Sequence, residues 1–252
     1  MTDLTVKSNP TTCTIDNHDA CCPGKVLPWL TLANDKILDC FACLPGGDRH
    51  GTGDKAFAFV KGNRPDRVLL VAHVDTVFDR PPGSDEIAVK DGVISSRNPD
   101  IGIGADDRAG VAILWELRNS GHSLLLTCGE EQHGLAAHAI ANSPQYRELH
   151  GEISRHCFIV EFDRRGGSDL VYYDVGTPEF AAYCACETGY SEAQGTFTDI
   201  CELNATVAAV NVSCGYHDEH WPRETLNLAE WHSTLAIARR WLAQNPLPRF
   251  PR

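Results

Sequence analysis

The sequence predicts an α/β fold built on buried parallel strands. Two continuous apolar runs, at residues 68–71 and 124–126, are typical of strands that are buried on both faces. Between them, Val111, Leu114 and Leu117 fall at helical spacing and predict an amphipathic helix. Each apolar run leads into an acidic segment. Because ligands of such sheets bind at the carboxyl ends of the strands, these segments are the first candidates for a functional site.

The other elements follow from apolar spacing and from turn residues. Residues 1–24 are polar and predict a loose N-terminal arm. The helix after Asp107 is predicted to run to about Asn119, with Gly121 as the cap of its end. Residues 87–95 predict a hairpin that turns at Asp91 and Gly92. We predict further helices at about 26–43, 135–141, 196–203 and 227–242. We predict further strands at about 56–61, 156–162, 171–173 (an edge strand), 180–186 and 207–212.

Length and charge restrict the class of protein. The chain has 252 residues, and we predict one catalytic domain over residues 1–252. Its formal net charge of −12 argues against a nucleic-acid partner and against an anionic membrane surface. There is no apolar run of about 18 residues and no apolar signal core, so we expect a cytoplasmic protein without a membrane partner.

The 11 cysteines fit reduced thiols in such a compartment. Cys21 and Cys22, together with Cys40 and Cys43, could bind a structural zinc ion. The simpler interpretation is that these cysteines are small buried apolar residues.

A group of metal-binding residues follows the predicted strands: His73, Asp106, Glu131, Asp163 and His220. Carboxylates and imidazoles that share a crevice repel one another unless a cation lies between them. Two imidazoles and three carboxylates suit two zinc ions that share one bridging carboxylate. Glu130, beside Glu131, is the candidate general base, and Asp75 is expected to accept the second ring N–H of His73.

Each of these residues also has a simpler interpretation. His73 could be a core histidine bonded to Asp75, and Glu130 could lie in a solvated loop. Asp106 and Asp107 could cap the following helix, and we expect Asp107 to do only that. Asp199 has the same two possible roles, as a helix cap or as a site residue. Three histidines are expected at the surface: His122, His133 and His138.

Five motifs, in order along the chain, resemble the co-catalytic dizinc exopeptidase superfamily, which includes leucyl aminopeptidases, peptidase T and acyl-amino-acid deacylases. The motifs are AHVDTV (72–77), GADDRAG (104–110), EEQHG (130–134), EFD (161–163) and HWPRET (220–225). One such motif would be weak, but five in the family order are a specific signal. The resemblance implies a three-layer α/β/α sandwich around a mostly parallel mixed sheet.

The resemblance also implies a role for each matching residue. His73 and Asp163 would bind the first metal, Glu131 and His220 the second, Asp106 would bridge both, and Glu130 would be the base. The metal would be zinc, two ions per chain, with cobalt or manganese as alternatives. His217 competes with His220 for the last position. Trp221 stands where the family has a small residue and is expected to narrow the pocket.

The implied activity is hydrolysis of peptide or amide bonds, most closely by an aminopeptidase that acts on short peptides. The interval from Asp163 to His220 is too short for the inserted lid of deacylases and peptidase T, which implies the single-domain form. The alternatives are an N-acyl amino acid deacylase or carboxypeptidase and a non-catalytic metal-binding member of the fold. The deacylase needs a cation for the substrate carboxylate, and four arginines are candidates: Arg97, Arg108, Arg164 and Arg165. The sequence leaves the oligomeric state open.

Overall fold

The computed structural model describes residues 23–252, in which helices surround an eight-stranded sheet. Nearly all of the predicted N-terminal arm lies outside the described residues, as do Cys21 and Cys22 of the predicted cysteine site. No helix among residues 23–252 is both long enough and apolar enough to cross a membrane.

The elements alternate along the chain. The helices are α1 (Leu27–Leu30), α2 (Asn34–Ala42), α3 (Ala105–Leu117), α4 (Leu135–Asn142), α5 (Arg147–Ile153), α6 (Pro178–Thr188), α7 (Asp199–Glu202) and α8 (Leu228–Leu242). The strands are β1 (Gly47–His50), β2 (Phe57–Val60), β3 (Leu69–His73), β4 (Ile87–Lys90), β5 (Val93–Ser96), β6 (Ser123–Thr127), β7 (Ile159–Arg164), β8 (Asp169–Val171), β9 (Ser191–Glu192), β10 (Ala209–Ser213), β11 (Tyr216–His217) and β12 (Thr225–Asn227).

The large sheet has the strand order β1-β2-β6-β3-β7-β10-β8-β9. Its four central strands, β6, β3, β7 and β10, are parallel to one another, whereas β1, β2 and β8 pair in the antiparallel sense. The predicted mostly parallel mixed sheet is therefore confirmed. Apolar side chains on both faces keep β3, β6 and β10 buried along their whole length.

Helices cover both faces of this sheet. Leu70 belongs to the larger apolar cluster, which also contains Trp29 of α1 and Trp231 of α8. Its neighbour in β3, Val71, belongs to the smaller cluster, with Ile140 of α4. Because successive side chains of a strand point to opposite faces, β3 contributes to both clusters. This gives the predicted three layers.

A second, four-stranded antiparallel sheet has the order β11-β12-β5-β4. The predicted hairpin is confirmed as β4 and β5, and β12 pairs with it through Leu226 opposite Ile94. The segment that carries His220 connects β11 to β12. The small sheet therefore fixes both ends of that segment.

The single predicted helix at 26–43 is wrong, because the chain leaves the helix between α1 and α2. Arg108 explains the interruption. Its buried guanidinium donates hydrogen bonds of 2.7 Å to the backbone oxygens of Trp29 and Leu32, and Ala33 is extended with φ −70° and ψ 151°. Arg108 thus binds carbonyl oxygens that would accept backbone hydrogen bonds in a continuous helix.

The predicted strand at 180–186 is wrong, because this segment forms α6. The hydroxyl of Thr177 accepts a hydrogen bond from the Phe180 N–H, and Pro178 occupies the first turn. Phe180 and Cys184 are buried one turn apart, which is helical spacing. The cap therefore makes this segment a helix, although its short apolar run is equally compatible with a strand.

Other differences are smaller. Neither α5 nor β1 was predicted, and β8 lies inside the sheet rather than at its edge. Gly121 does not cap α3, which ends at Leu117 with Arg118 as its C-cap. His133 and His138 are exposed as predicted, but His122 is buried. It accepts a hydrogen bond from the Val68 N–H and donates one to the Leu242 oxygen.

Candidate metal centre

Two groups of metal-binding side chains meet at the carboxyl ends of the central strands. His73, Asp106 and Asp163 form one group, and Asp106, Glu131 and His220 form the other. Within each group the candidate ligand atoms all lie within 4.8 Å of one another. All five residues predicted as ligands are therefore brought together, and Asp106 belongs to both groups.

The two oxygens of Asp106 face different histidines. Oδ1 lies 3.1 Å from His73 Nε2, and Oδ2 lies 3.2 Å from His220 Nε2. His73 Nε2 is also 3.4 Å from Asp163 Oδ1, and His220 Nε2 is 3.1 Å from Glu131 Oε2. A carboxylate in this position could bridge two cations.

The sheet explains why these residues meet. His73 is the last residue of β3, and Asp163 lies near the end of the neighbouring parallel strand β7. Glu131 follows β6, which pairs with β3 on the other side. The carboxyl ends of these parallel strands therefore present their side chains at one edge.

Glu224 positions the loop that carries Asp106. Gly104 has a left-handed backbone with φ +64°, and Asp106 and Asp107 are joined by a cis peptide bond with non-helical angles. The buried carboxylate of Glu224 accepts hydrogen bonds from the N–H groups of Gly104 (2.6 Å) and Asp106 (3.0 Å). Burial raises the pKa of Glu224 to about 8. The sequence reasoning gave Glu224 no role, although its place in the last motif was a signal.

Asp75 connects the first ligand to the two glutamates. His73 Nδ1 donates to the backbone oxygen of Asp75 at 3.0 Å and lies 3.5 Å from its carboxylate. The ring N–H is therefore bonded to the backbone oxygen of Asp75, whereas the predicted acceptor was its carboxylate. The Asp75 carboxylate instead accepts from the N–H groups of Glu130 (3.4 Å) and Glu131 (3.2 Å). With its proton on Nδ1, His73 would offer the lone pair of Nε2 to a cation held by Asp106 and Asp163.

Asp107 does more than the predicted cap. Its Oδ1 accepts from the Gly110 N–H at 3.0 Å, which satisfies the start of α3. Its Oδ2 accepts from the backbone N–H of His73 at 3.3 Å. Asp107 is fully buried, and burial raises its pKa well above the usual value. It therefore ties the helix to the end of β3.

Two hydroxyl groups orient the carboxylate of Asp163. Thr198 donates a hydrogen bond from its hydroxyl to Asp163 Oδ2 at 2.8 Å, and the Tyr216 hydroxyl donates one to Oδ1 at 3.2 Å.

Asp199, whose role the sequence left open, is buried and accepts a hydrogen bond from the Thr127 hydroxyl. Burial raises its pKa to about 7.

His217 and Trp221 lie elsewhere. His217 Nε2 is 2.7 Å from Glu230 of α8 and belongs to neither group of candidate ligands. Trp221 is 56% exposed, with the Arg223 guanidinium 5.0 Å from its ring, and it does not line the cleft. The expectation that Trp221 narrows the pocket is wrong.

The electrostatics favour a bound cation. Burial acts to lower the pKa of His73, but Asp163 and Asp106 outweigh it and raise the pKa well above 6.5. Hydrogen bonds to Asp106 and Glu131 raise the pKa of His220 to about 11. Burial raises the pKa of Glu130 to about 9, and neighbouring carboxylates add to the effect. Both histidines therefore stand in an excess of negative charge.

The donor set fits zinc. Zinc takes imidazole nitrogen and carboxylate oxygen, and both groups offer this mixture. Glu131 Oε1 is buried and has no hydrogen-bond partner among residues 23–252. A buried carboxylate oxygen without a donor is costly unless something else satisfies it, and a cation would do so.

The cleft beside these residues is small, about 160 Å³. Asp106, Glu130, Asp163 and His220 line it. Arg164, Arg165 and Glu219 also line it, together with aromatic and polar side chains. A substrate in this cleft would contact both the candidate ligands and the candidate base.

Comparison with solved structures relates the fold to peptidases. An aminopeptidase PepT from Bacillus cereus aligns with a TM-score of 0.62 at 14% identity, over 85% of this chain and 95% of its own. A tripeptidase from Staphylococcus aureus gives a TM-score of 0.58 at 13% identity, over 87% and 97%. An aminopeptidase from Desulfurococcus kamchatkensis gives 0.57 at 13% identity, over 85% and 93%.

Sequence comparison adds nothing to this relationship. No protein-family model matches the chain, and no curated protein is significantly similar to it. At identities this low, the structural likeness concerns the fold. The chain therefore has the fold of these peptidases, as the resemblance of the five motifs implied.

Proposed function

We propose that this protein is a metal-dependent hydrolase of peptide bonds, and specifically an aminopeptidase that acts on short peptides. One observation carries the proposal. Two groups of metal-binding side chains share Asp106, and Glu130 lies beside them in the same cleft. The peptidase fold supports the same conclusion. The proposal includes the expectation that residues 1–252 form one catalytic domain.

The proposed cofactor is a pair of zinc ions, with cobalt or manganese as alternatives. His73 and Asp163 would hold one ion, Glu131 and His220 the other, and Asp106 would bridge them. When bound, zinc polarises a substrate carbonyl and lowers the pKa of water. Asp75 keeps His73 and the two glutamates in position for this arrangement.

Glu130 is the proposed general base. Its Oε2 lies 4.0 Å from His73 Nε2, so the carboxylate faces the centre without being part of either group. It would accept a proton from the attacking water and pass that proton to the leaving amine. Cations in the centre would favour the ionised carboxylate, which this role needs.

The charge of the cleft suits a free amino terminus. Glu130 lines it and belongs to neither group of candidate ligands, so its carboxylate would attract an ammonium group. A blocked amino terminus lacks that charge. Free-amine substrates are therefore expected to react faster than blocked ones.

A deacylase or carboxypeptidase is the second candidate, because two arginines line the same cleft. To separate the two functions, the zinc content of the purified protein would be measured, and hydrolysis of free-amine dipeptides would be compared with that of their N-acetylated forms. We expect zinc and a preference for the free amine. A preference for the N-acetylated forms would favour the deacylase, and a folded, zinc-loaded protein that hydrolyses neither would refute both.

A further inference from the structure

We infer that Arg165 binds the free carboxylate of the substrate in the cleft beside the candidate metal centre, and that the enzyme thereby selects short peptides with a free carboxyl terminus. This inference rests on the proposed function. It concerns the end of the substrate opposite the ammonium group. Four arginines are candidates for this role: Arg97, Arg108, Arg164 and Arg165.

Two of these arginines are used by the fold. Arg108 is buried, and its guanidinium is held by the backbone oxygens of Val74, Trp29 and Leu32. Arg97 donates its Nε hydrogen to the Ile87 oxygen in the small sheet and does not line the cleft. Neither is placed to meet a substrate.

Arg164 and Arg165 directly follow Asp163, and both line the cleft. The Arg164 side chain is 16% exposed and is held by Asp169 through two contacts of 3.3 and 3.4 Å. The Arg165 side chain is 56% exposed and makes one contact, of 2.6 Å, with Glu219. Arg165 is therefore the arginine that a substrate can reach.

Glu219 holds Arg165 beside the candidate centre, because Glu219 directly precedes His220 in the chain. A guanidinium has five N–H donors in a planar fork that matches a carboxylate. Nη1 is used by Glu219, and within residues 23–252 the group has no other hydrogen-bond partner. Arg165 is thus oriented by one carboxylate while donors remain for a second.

The charges that line the cleft favour a substrate carboxylate at Arg165. Glu130 lines the cleft and belongs to neither group of candidate ligands, so its carboxylate would repel a substrate carboxylate placed next to it. Arg165 offers the opposite charge in the same cleft. The cleft volume of about 160 Å³ is also below the roughly 300–1,000 Å³ typical of pockets that enclose drug-sized ligands. A short peptide would place its ammonium group near Glu130 and its carboxylate at Arg165.

The test compares peptides that differ only in the charge of the carboxyl terminus. Dialanine and trialanine and their C-terminal amides would be hydrolysed by the zinc-loaded wild type, by Arg165→Met and by a control variant, Arg223→Met. Arg223 is also exposed and ion-paired, with Asp218, but does not line the cleft. We expect the wild type and the control to prefer the acids by about 10- to 100-fold in kcat/KM, mainly through KM. Arg165→Met should lose this preference and keep its rate with the amides.

A second variant separates substrate binding from a structural role. If Arg165 only held the His220 segment through Glu219, Arg165→Met and Glu219→Gln would slow the acids and the amides equally. We instead expect Glu219→Gln, which leaves Arg165 in place, to keep the preference for the acids. Equal rates for acid and amide in the wild type, or a preference that survives in Arg165→Met, would overturn the inference.

Binding keeps this result separate from the proposed activity. The affinities of trialanine and its amide would be measured by calorimetry on zinc-loaded Glu130→Gln, with and without Arg165→Met. Tighter binding of the acid that depends on Arg165 would support the inference even if no variant hydrolyses peptides. Equal affinities would overturn it. Absence of turnover in the zinc-loaded wild type would count against the proposed function alone.

Discussion

Asp106 is the residue that both halves of the candidate centre share, and its position depends on residues far away in the sequence. Its oxygens face His73 and His220, while its backbone N–H is held by Glu224. The Asp75 carboxylate holds the backbone of the glutamates in a similar way. At the residue scale, four of the five proposed ligands are thus oriented by a further polar group, as is usual for metal-binding residues: His73, Asp106, Glu131 and Asp163.

The replacement Glu130→Gln should abolish most turnover without removing the metal. Gln has the size of Glu but cannot accept the proton, so kcat should fall by about 100- to 10,000-fold. Elemental analysis should find the wild-type zinc content, because Glu130 is in neither group of candidate ligands. Glu148→Gln, at an exposed position in α5, is the matched control. Wild-type turnover in Glu130→Gln would remove Glu130 from the mechanism.

The replacement Glu224→Ala should weaken zinc binding by about 10- to 100-fold. It leaves the N–H groups of Gly104 and Asp106 without their acceptor, so the bridging carboxylate loses its fixed position. Competition with a chelator of known affinity would measure the change. Glu224→Gln, which keeps one oxygen acceptor, should lose less. A folded Glu224→Ala protein with wild-type zinc affinity would contradict this role.

At the scale of elements, capping and distant side chains decide where helices begin and end. Asn227 was predicted as the start of the last helix and is its N-cap, with Oδ1 accepting from Ala229 and Glu230. Thr177 caps α6 in the same manner, but this segment was predicted as a strand. The difference is that α8 has a long amphipathic pattern, whereas α6 carries a short apolar run.

The replacement Asn227→Ala should lower the free energy of unfolding by about 1 kcal/mol. The N–H groups of Ala229 and Glu230 would lose their acceptor at the start of α8. Asn227→Asp, which keeps an oxygen in the same place, should stay close to the wild type. Urea denaturation of the three proteins measures the difference. Equal stability of Asn227→Ala and Asn227→Asp would show that the cap contributes little.

At the scale of the whole molecule, polar groups are buried on a sheet that is otherwise apolar. His156 is fully buried; its Nδ1 donates to the Ile153 oxygen, and its Nε2 accepts from the Ser123 hydroxyl at 2.7 Å. This arrangement suits the neutral ring, and burial lowers the pKa of His156 to about 4. In the unfolded chain the ring has a pKa near 6.5. The unfolded state therefore binds more protons between these two values.

The contribution of His156 to stability should be complete above pH 6.5 and should decline as the pH falls toward 4. Because proton uptake by the unfolded state favours unfolding, the loss over this range should be about 3 kcal/mol. Urea denaturation of the wild type and His156→Gln at several pH values gives the difference in unfolding free energy, in which the other titrating groups cancel. That difference should shrink as the pH decreases. A constant difference between pH 7 and pH 4 would contradict the buried neutral ring.

The sequence by itself determined the parts of this protein that depend on local pattern. Buried parallel strands are continuous apolar runs, so β3 and β6 were evident, and the residues after them were the natural candidates for a site. Those candidates, from His73 to His220, are the residues that the structure brings together. The long helices α3 and α8 were evident from apolar residues at helical spacing.

Only the tertiary structure decided what depends on contacts between distant residues. Arg108 interrupts the first predicted helix from 79 positions away, and Glu224 holds Asp106 across 118 positions. The choice of Arg165 among four arginines likewise needed its ion pair with Glu219 and its place in the cleft. Hydrogen-bond acceptors and ion pairs carry no periodic signal in a sequence. Their partners become known only once the chain has folded around the sheet.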